Sequence, residues 1–242
     1  MESWKYQPAR DLNLPPVQRW RSVWREDGLV EAAVHGAWWS SVSLYLKTIH
    51  RLAVEGREHL PAAPPFVMAG NHSSHLDAMV LAAALPARLR RSVLPVAAGD
   101  YFFEAPAMAA FAAFALNALP LWRKRAGHHA MEELRKRLLD ERCAYILFPE
   151  GTRSRTGEIG QFKAGLGMIV AGTDVPVVPC HIAGANDAWP PDRNRPKLHR
   201  VGVRIGPPLR FADAPNSRDG WERVATETES AVRALAAGHV VT

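Results

Sequence analysis

From Phe66 onward, short continuous apolar runs alternate with longer segments whose apolar residues recur at helical spacing. FVMAG (66–70), SVLPVAA (92–98), ALPLW (118–122), AYILF (144–148), VPVVPCHI (175–182) and VGVRIG (201–206) read as strands. Between them the pattern predicts a helix from about His75 to Leu85, stopped by Pro86, and an Ala/Phe-rich helix near 104–116. A third helix follows in HHAMEELRKRLLDER, where Met131, Leu134, Leu138 and Leu139 form one apolar stripe, then one near 162–171 and a closing one over 219–237. The first fifty residues read as helical after Pro15-Pro16 and join the body through RLAVEG, taken as a connector. This alternation predicts a single α/β domain whose mostly parallel mixed sheet is flanked by helices. The division expected is an N-terminal helical, membrane-associating segment (1–50) and a main domain (51–242).

In sheets of this kind ligands gather at the carboxyl ends of the strands. Polar clusters sit at those positions: NHSSHLD follows FVMAG, RKR follows ALPLW, and PEGTRSRTG follows AYILF. All three are expected to meet on one edge of the sheet.

The net charge of +6 and the 24 Arg against 6 Lys change the picture little. Arginine suits bidentate binding of phosphate or carboxylate, and a basic surface suits anionic membranes or nucleic acid. No helix-turn-helix, zinc-finger or RNA-binding signature accompanies the charge, so a nucleic-acid partner is not expected. Cys143 and Cys180 lie inside apolar runs and read as buried, reduced thiols. The amino terminus lacks a signal-peptide core, which predicts a cytoplasmic protein. AAVHGAWWSSVSLYL (Ala32 to Leu46) and APAMAAFAAFALNAL (Ala105 to Leu119) are uncharged, but each has only 15 residues. A span needs roughly 20, so both read as core or interfacial helices. Trp38, Trp39 and segment 102–116 are the candidate lipid contacts, although a buried aromatic stripe explains the tryptophans equally well.

NHSSHLD admits three readings. Ser74 and Asp77 have the spacing of a capping box, with the carboxylate reaching back to a free backbone N–H. A carboxylate in the first helical turn also suits a general base, since bonding one nitrogen of His72 fixes its tautomer and supports the imidazolium. His72, His75 and Asp77 together offer three metal ligands, but the other strand-end clusters add none. His75 reads as a helix-start or lining side chain that binds nothing. No G-x-S-x-G nucleophile elbow is present, so the hydroxyl to be activated belongs to a substrate. In FPEGTRSRTG (148–157), Gly151 permits a tight backbone approach and Arg153 supplies a planar fork for phosphate. Glu150 there suits a polyol hydroxyl or the arginine itself.

The H-x-x-x-x-D of NHSSHLD and FPEGTRS, some seventy residues apart, resemble the first and third signature blocks of the glycerolipid acyltransferases, the 1-acylglycerol-3-phosphate acyltransferase family. NALPLWR, ending in Arg123, resembles the second block, although it begins with Asn117 and carries Pro120. VPVVPCHIAG, with Pro179, resembles the fourth, and FKAG (162–165) matches usage after the third. The resemblance covers roughly residues 50 to 210 and implies transfer of a fatty acyl group from a coenzyme A or acyl carrier protein thioester to a lyso-lipid hydroxyl. It implies His72 as general base, Asp77 as its orienting group, Glu150, Gly151, Thr152 and Arg153 shaping the acceptor site, and Arg123 binding the acceptor's phosphate. It also implies no acyl-enzyme, no metal and no cofactor. Lysophosphatidate is the expected acceptor, another lyso-lipid the alternative, and peripheral or monotopic attachment to the cytoplasmic face of the cell membrane the expected location. The competing class is a metal-dependent hydrolase using His72, His75 and Asp77.

Overall fold

The computed structural model describes residues 29–90, 92–98, 117–121 and 127–238, with positions 14, 15 and 18 near the amino terminus. The helix expected near 104–116 and Arg123 lie outside the described residues. In chain order the elements are α1 (Leu29–Thr48), β1 (Ala53–Glu55), β2 (Phe66–Gly70), α2 (Asp77–Ala84), α3 (Ala87–Arg90), β3 (Val93–Ala98) and β4 (Leu119–Leu121). They continue with α4 (Gly127–Asp140), β5 (Ala144–Leu147), α5 (Gly165–Val170), β6 (Val177–Ala183), α6 (Ala185–Ala188), β7 (Gly202–Ile205) and α7 (Arg218–Ala237).

Among the described residues the strands form one sheet of order β1-β7-β6-β2-β5-β3-β4. Every neighbouring pair is parallel except β6–β7. The apolar runs are continuous because both faces of the sheet are covered. Phe66 and Met68 of β2 pack with Trp39, Leu46, Leu81 and Leu85 on one side. Val67 and Ala69 pack with Leu134, Leu138, Leu166, Ile169 and Val224 on the other. The same alternation splits β5, with Ile146 facing the first layer and Tyr145 the second.

The strand reading holds, with ends shifted by a residue or two. RLAVEG was the exception: it contains β1, an edge strand paired in parallel with β7. Three residues with only Val54 shielded carry too little alternation to be seen in a sequence. Because β6 and β7 are antiparallel, Gly202 at the start of β7 lies opposite Ala183 at the end of β6, and Ala53 pairs with Gly202. The carboxyl end of α1 therefore arrives at the same sheet edge as the carboxyl ends of β2, β5 and β6.

Trp39 is corrected by the structure. It is 3% exposed, inside the core cluster with Val42 and Leu46, and the Arg90 guanidinium lies 5.8 Å from its ring centroid. It holds α1 to the body and is not a lipid contact, while Trp38 is half-buried against the same core. Among the described residues no helix is long and apolar enough to cross a membrane. Cys143 and Cys180 are free and buried, and burial pushes both thiols above their ordinary values.

Candidate active site

Asn71 directly follows β2 and clamps it to β6. Its side-chain Nδ2 donates to the Ile182 carbonyl at 3.0 Å and its Oδ1 accepts from the Ile182 N–H at 2.8 Å. A buried amide that satisfies both groups of one residue fixes the direction in which the next residue leaves the strand. That next residue is His72.

The His72 ring is held from two sides. Its Nδ1 donates to Asp77 Oδ2 at 2.8 Å, and its plane stacks on Phe148 with centroids 4.2 Å apart at 15°. Asp77 Oδ2 also accepts from the backbone N–H groups of Ser73 and Ser74, both at 2.7 Å. With Nδ1 protonated toward the carboxylate, Nε2 carries the lone pair. The Asp77 side chain is fully buried and that of His72 is 22% exposed, so the imidazole reaches the surface and the carboxylate does not.

The capping box is half realised. The carboxylate does return to the Ser74 N–H, but the Ser74 hydroxyl donates to the Trp189 carbonyl at 2.7 Å and accepts from the Leu76 N–H at 3.1 Å. α2 consequently starts at Asp77, two residues later than the pattern suggests.

The loop after β5 is fastened to the loop after β2 in both directions. His72 N–H donates to Glu150 Oε1 at 2.7 Å, and Ser154 N–H donates to the His72 carbonyl at 2.7 Å. Glu150 Oε2 takes the Gly160 N–H at 3.0 Å. Both carboxylate oxygens are thus engaged by backbone, and the side chain is only 6% exposed. Glu150 does not hold Arg153, contrary to one of its two expected roles. Burial pushes its pKa above the ordinary carboxylate value, with the His72 and Gly160 N–H groups opposing that shift. Gly151 has φ +75, a backbone conformation that side chains rarely adopt, so the turn favours glycine at this position. Thr152 is exposed and Arg153 half-buried on the rim.

Replacing Glu150 with Ala should leave two shielded N–H groups without their acceptor, at a cost of about 1–3 kcal/mol each. The expected result in a denaturant titration is a clearly lower midpoint. Glu150→Gln, which retains one acceptor oxygen, should fall between that variant and the wild type, and equal midpoints for all three would remove this role. The wild type should also lose some stability as pH rises from the ordinary carboxylate value through the raised one. There the folded state holds a proton that the unfolded state has released. Glu150→Gln should lack that segment of the pH profile.

His75 lies two residues before α2 and touches a side chain of the other loop. Arg153 Nη1 lies 2.6 Å from its Nδ1 and 3.2 Å from its Nε2. The ring also tilts against Trp189, centroids 5.1 Å apart. A guanidinium at that distance is incompatible with a cation held by His75. Among the described residues no group of three His, Cys, Asp or Glu is placed to hold a metal ion. Of the expected residues, the fold brings His72, Asp77, Glu150 and Arg153 together at one sheet edge, and Arg123 lies outside the described residues. Asn71, Phe148 and Trp189 were missed as contributors. Each directly follows a strand or the short α6 beyond one, so the strand-end rule that singled out their neighbours applied to them as well.

The model of the Acyltransferase family matches residues 51–183, which contain both loops. The chain belongs to the Acyltransferase family. It is 29% identical over 170 residues to the 1-acyl-sn-glycerol-3-phosphate acyltransferase alpha of Bos taurus, covering 69% of this chain and 57% of that protein. It is 32% identical over 156 residues to the chloroplastic 1-acyl-sn-glycerol-3-phosphate acyltransferase BAT2 of Brassica napus, covering 63% of this chain and 42% of that one. The chain thus spans about half the length of these two relatives, 57% of the first and 42% of the second. Its fold resembles the crystal structure of the 1-acyl-sn-glycerophosphate (LPA) acyltransferase PlsC from Thermotoga maritima, with a TM-score of 0.64 and 25% identity, covering 87% of this chain and 81% of that chain. The family match stops at Ala183, the end of β6, so β7 and α7 complete the fold beyond it.

Proposed function

We propose that the protein is a 1-acylglycerol-3-phosphate O-acyltransferase. It moves a fatty acyl group from the thioester of acyl-CoA or acyl carrier protein to the free hydroxyl of lysophosphatidate, making phosphatidate. The observation that carries this reading is the His72–Asp77 pair, with Nδ1 tied to a buried carboxylate and Nε2 left for a substrate. In this mechanism Nε2 takes the hydroxyl proton as the oxygen attacks the thioester carbonyl. The tetrahedral intermediate collapses, the C–S bond breaks, and the imidazolium returns its proton to the departing thiolate. Asp77 stabilises the imidazolium in between. Arg153 binds the acceptor's phosphate, with Arg123 as its partner, and Thr152 lies beside it on the rim. Both cysteines are buried, which agrees with direct transfer without an acyl-enzyme. The scheme calls for no metal and no cofactor.

The test is an acyl-transfer assay pairing acyl-CoA and acyl carrier protein donors with lysophosphatidate, other lyso-lipids and glycerol 3-phosphate. Phosphatidate should form fastest from lysophosphatidate, and mass spectrometry during turnover should show no acylated protein. A covalent acyl-protein, or no transfer to any lyso-lipid, would refute the scheme.

The same reading places the protein peripherally on the cytoplasmic face of the membrane, where its substrates are. Leu44 and Ile49 of the α1 end are 63% and 40% exposed, and Leu198 before β7 is 76% exposed. The two segments are tied together by His50 Nδ1 to the His199 carbonyl at 3.1 Å and by the Val201 N–H to the His50 carbonyl at 2.9 Å. Exposed Lys47, Arg51, Lys197 and Arg200 lie close to them along the chain. Exposed apolar residues with cations close by in the chain suit an anionic bilayer, and both segments lie at the sheet edge of His72. The double variant Leu44→Glu/Leu198→Glu should co-sediment several-fold less with phosphatidylglycerol vesicles while melting normally. Undiminished binding would place the membrane contact elsewhere.

A further inference from the structure

We infer that Lys163 is a ligand of the acceptor's phosphate, its ammonium held over the glycine of the loop after β5. The inference rests on the reading of that loop as the acceptor site and adds to it a cation from the segment before α5.

The backbone that presents Lys163 is held from two sides. Its N–H donates to the Pro149 carbonyl at 2.9 Å, which ties it to the root of the loop. The residue before it, Phe162, is buried, and its N–H donates to Glu229 Oε2 of α7 at 2.8 Å. From this anchor the lysine side chain turns back onto Gly151. Nζ, Cδ and Cε lie 2.9, 3.4 and 3.5 Å from the point that a Cβ at that glycine would occupy. The stem thus runs along loop backbone, while the residue as a whole is exposed and open to an incoming anion. Glu150, the carboxylate next to Gly151 in the chain, has both oxygens taken by the His72 and Gly160 N–H groups.

The position suits the acceptor better than the donor. In lysophosphatidate the phosphate hangs on the carbon next to the one that bears the free hydroxyl, so its ligands must lie close to the base. Lys163 meets that condition, because the residue before Gly151 accepts the His72 N–H. In acyl-CoA the phosphates are separated from the thioester by the whole pantetheine arm. An ammonium is also the right kind of charge here: compact, with three donors on a stem that can follow the headgroup as the hydroxyl approaches the thioester. The benefit should appear in acceptor binding and not in the proton transfer at His72.

The experiment measures kcat and both KM values for the wild type, Lys163→Met, Lys163→Arg and Lys136→Met, with melting curves alongside. Lysophosphatidate is presented in neutral detergent micelles, so that attraction to an anionic bilayer does not enter. Lys163→Met should raise the KM for lysophosphatidate about tenfold, the effect of losing one hydrogen bond to a charged group. It should leave kcat and the acyl-donor KM within about twofold of the wild type. Lys163→Arg, which keeps the charge, should recover most of the loss. Lys136→Met makes the same change of charge at an exposed position on α4 and should leave all three constants unaltered. If the wild type acylates lysophosphatidate and Lys163→Met leaves that KM unchanged, the inference falls while the proposed function stands. A donor KM raised in place of the acceptor KM, an equal rise in Lys136→Met, or no recovery in Lys163→Arg also overturns it. If the wild type transfers no acyl group to lysophosphatidate, the proposed function fails and the inference fails with it.

Discussion

His72→Ala should lower kcat for acyl transfer by about 10²- to 10⁴-fold while leaving the protein folded. The reason the fold survives lies in which atoms of His72 carry structure. Its N–H bonds Glu150 Oε1 and its carbonyl accepts from Ser154, and alanine keeps both. Asp77 Oδ2 would still accept from Ser73 and Ser74, so the buried carboxylate is not left without donors. The loss at the ring is its stacking on Phe148 and the proton acceptor itself. The measurement is steady-state kinetics with a melting curve. A variant with near-normal turnover would take the base role from His72, and one that does not fold would show that the ring has a structural role instead.

Asp77→Asn should be almost as damaging to turnover, by about 10²- to 10⁴-fold, and unlike the first variant it should also destabilise the protein. The side chain is fully buried, and Oδ2 is the acceptor for three donors, His72 Nδ1 among them. An asparagine oxygen can occupy that place and keep the tautomer. Its NH₂ then falls where Oδ1 lies, a buried position without a hydrogen-bond partner. An unsatisfied buried donor costs about 1–3 kcal/mol. The kinetic loss has a separate origin: the imidazolium formed in the reaction would no longer face a negative charge. The acceptor KM should change little, because no phosphate ligand is touched. A variant with lowered stability and unaltered kcat would reduce Asp77 to a structural residue that shapes the turn before α2.

Much of this site is legible in a linear reading because its chemistry is local. His72 and Asp77 are five positions apart, and a turn entering a helix brings such residues together whatever surrounds them. Glu150 and Arg153 share one loop, and both loops follow continuous apolar runs that only a doubly covered sheet accommodates. The sequence by itself therefore determined the α/β class, the strands that carry the site, and the pairing of His72 with Asp77. What it left open depends on separations too long for any local pattern. Glu150 meets the His72 backbone across 78 positions, Asn71 clamps Ile182 across 111, and Arg153 reaches His75 across 78. Trp39 could equally have faced lipid or core until α1 was seen packed on α2. β1 became a strand only because β7 lay beside it. Hydrogen bonds between distant segments and the burial of one helix face are properties of the assembled chain. That is why the tertiary structure alone decided which side of α1 is exposed, what Glu150 holds, and that His75 has a partner.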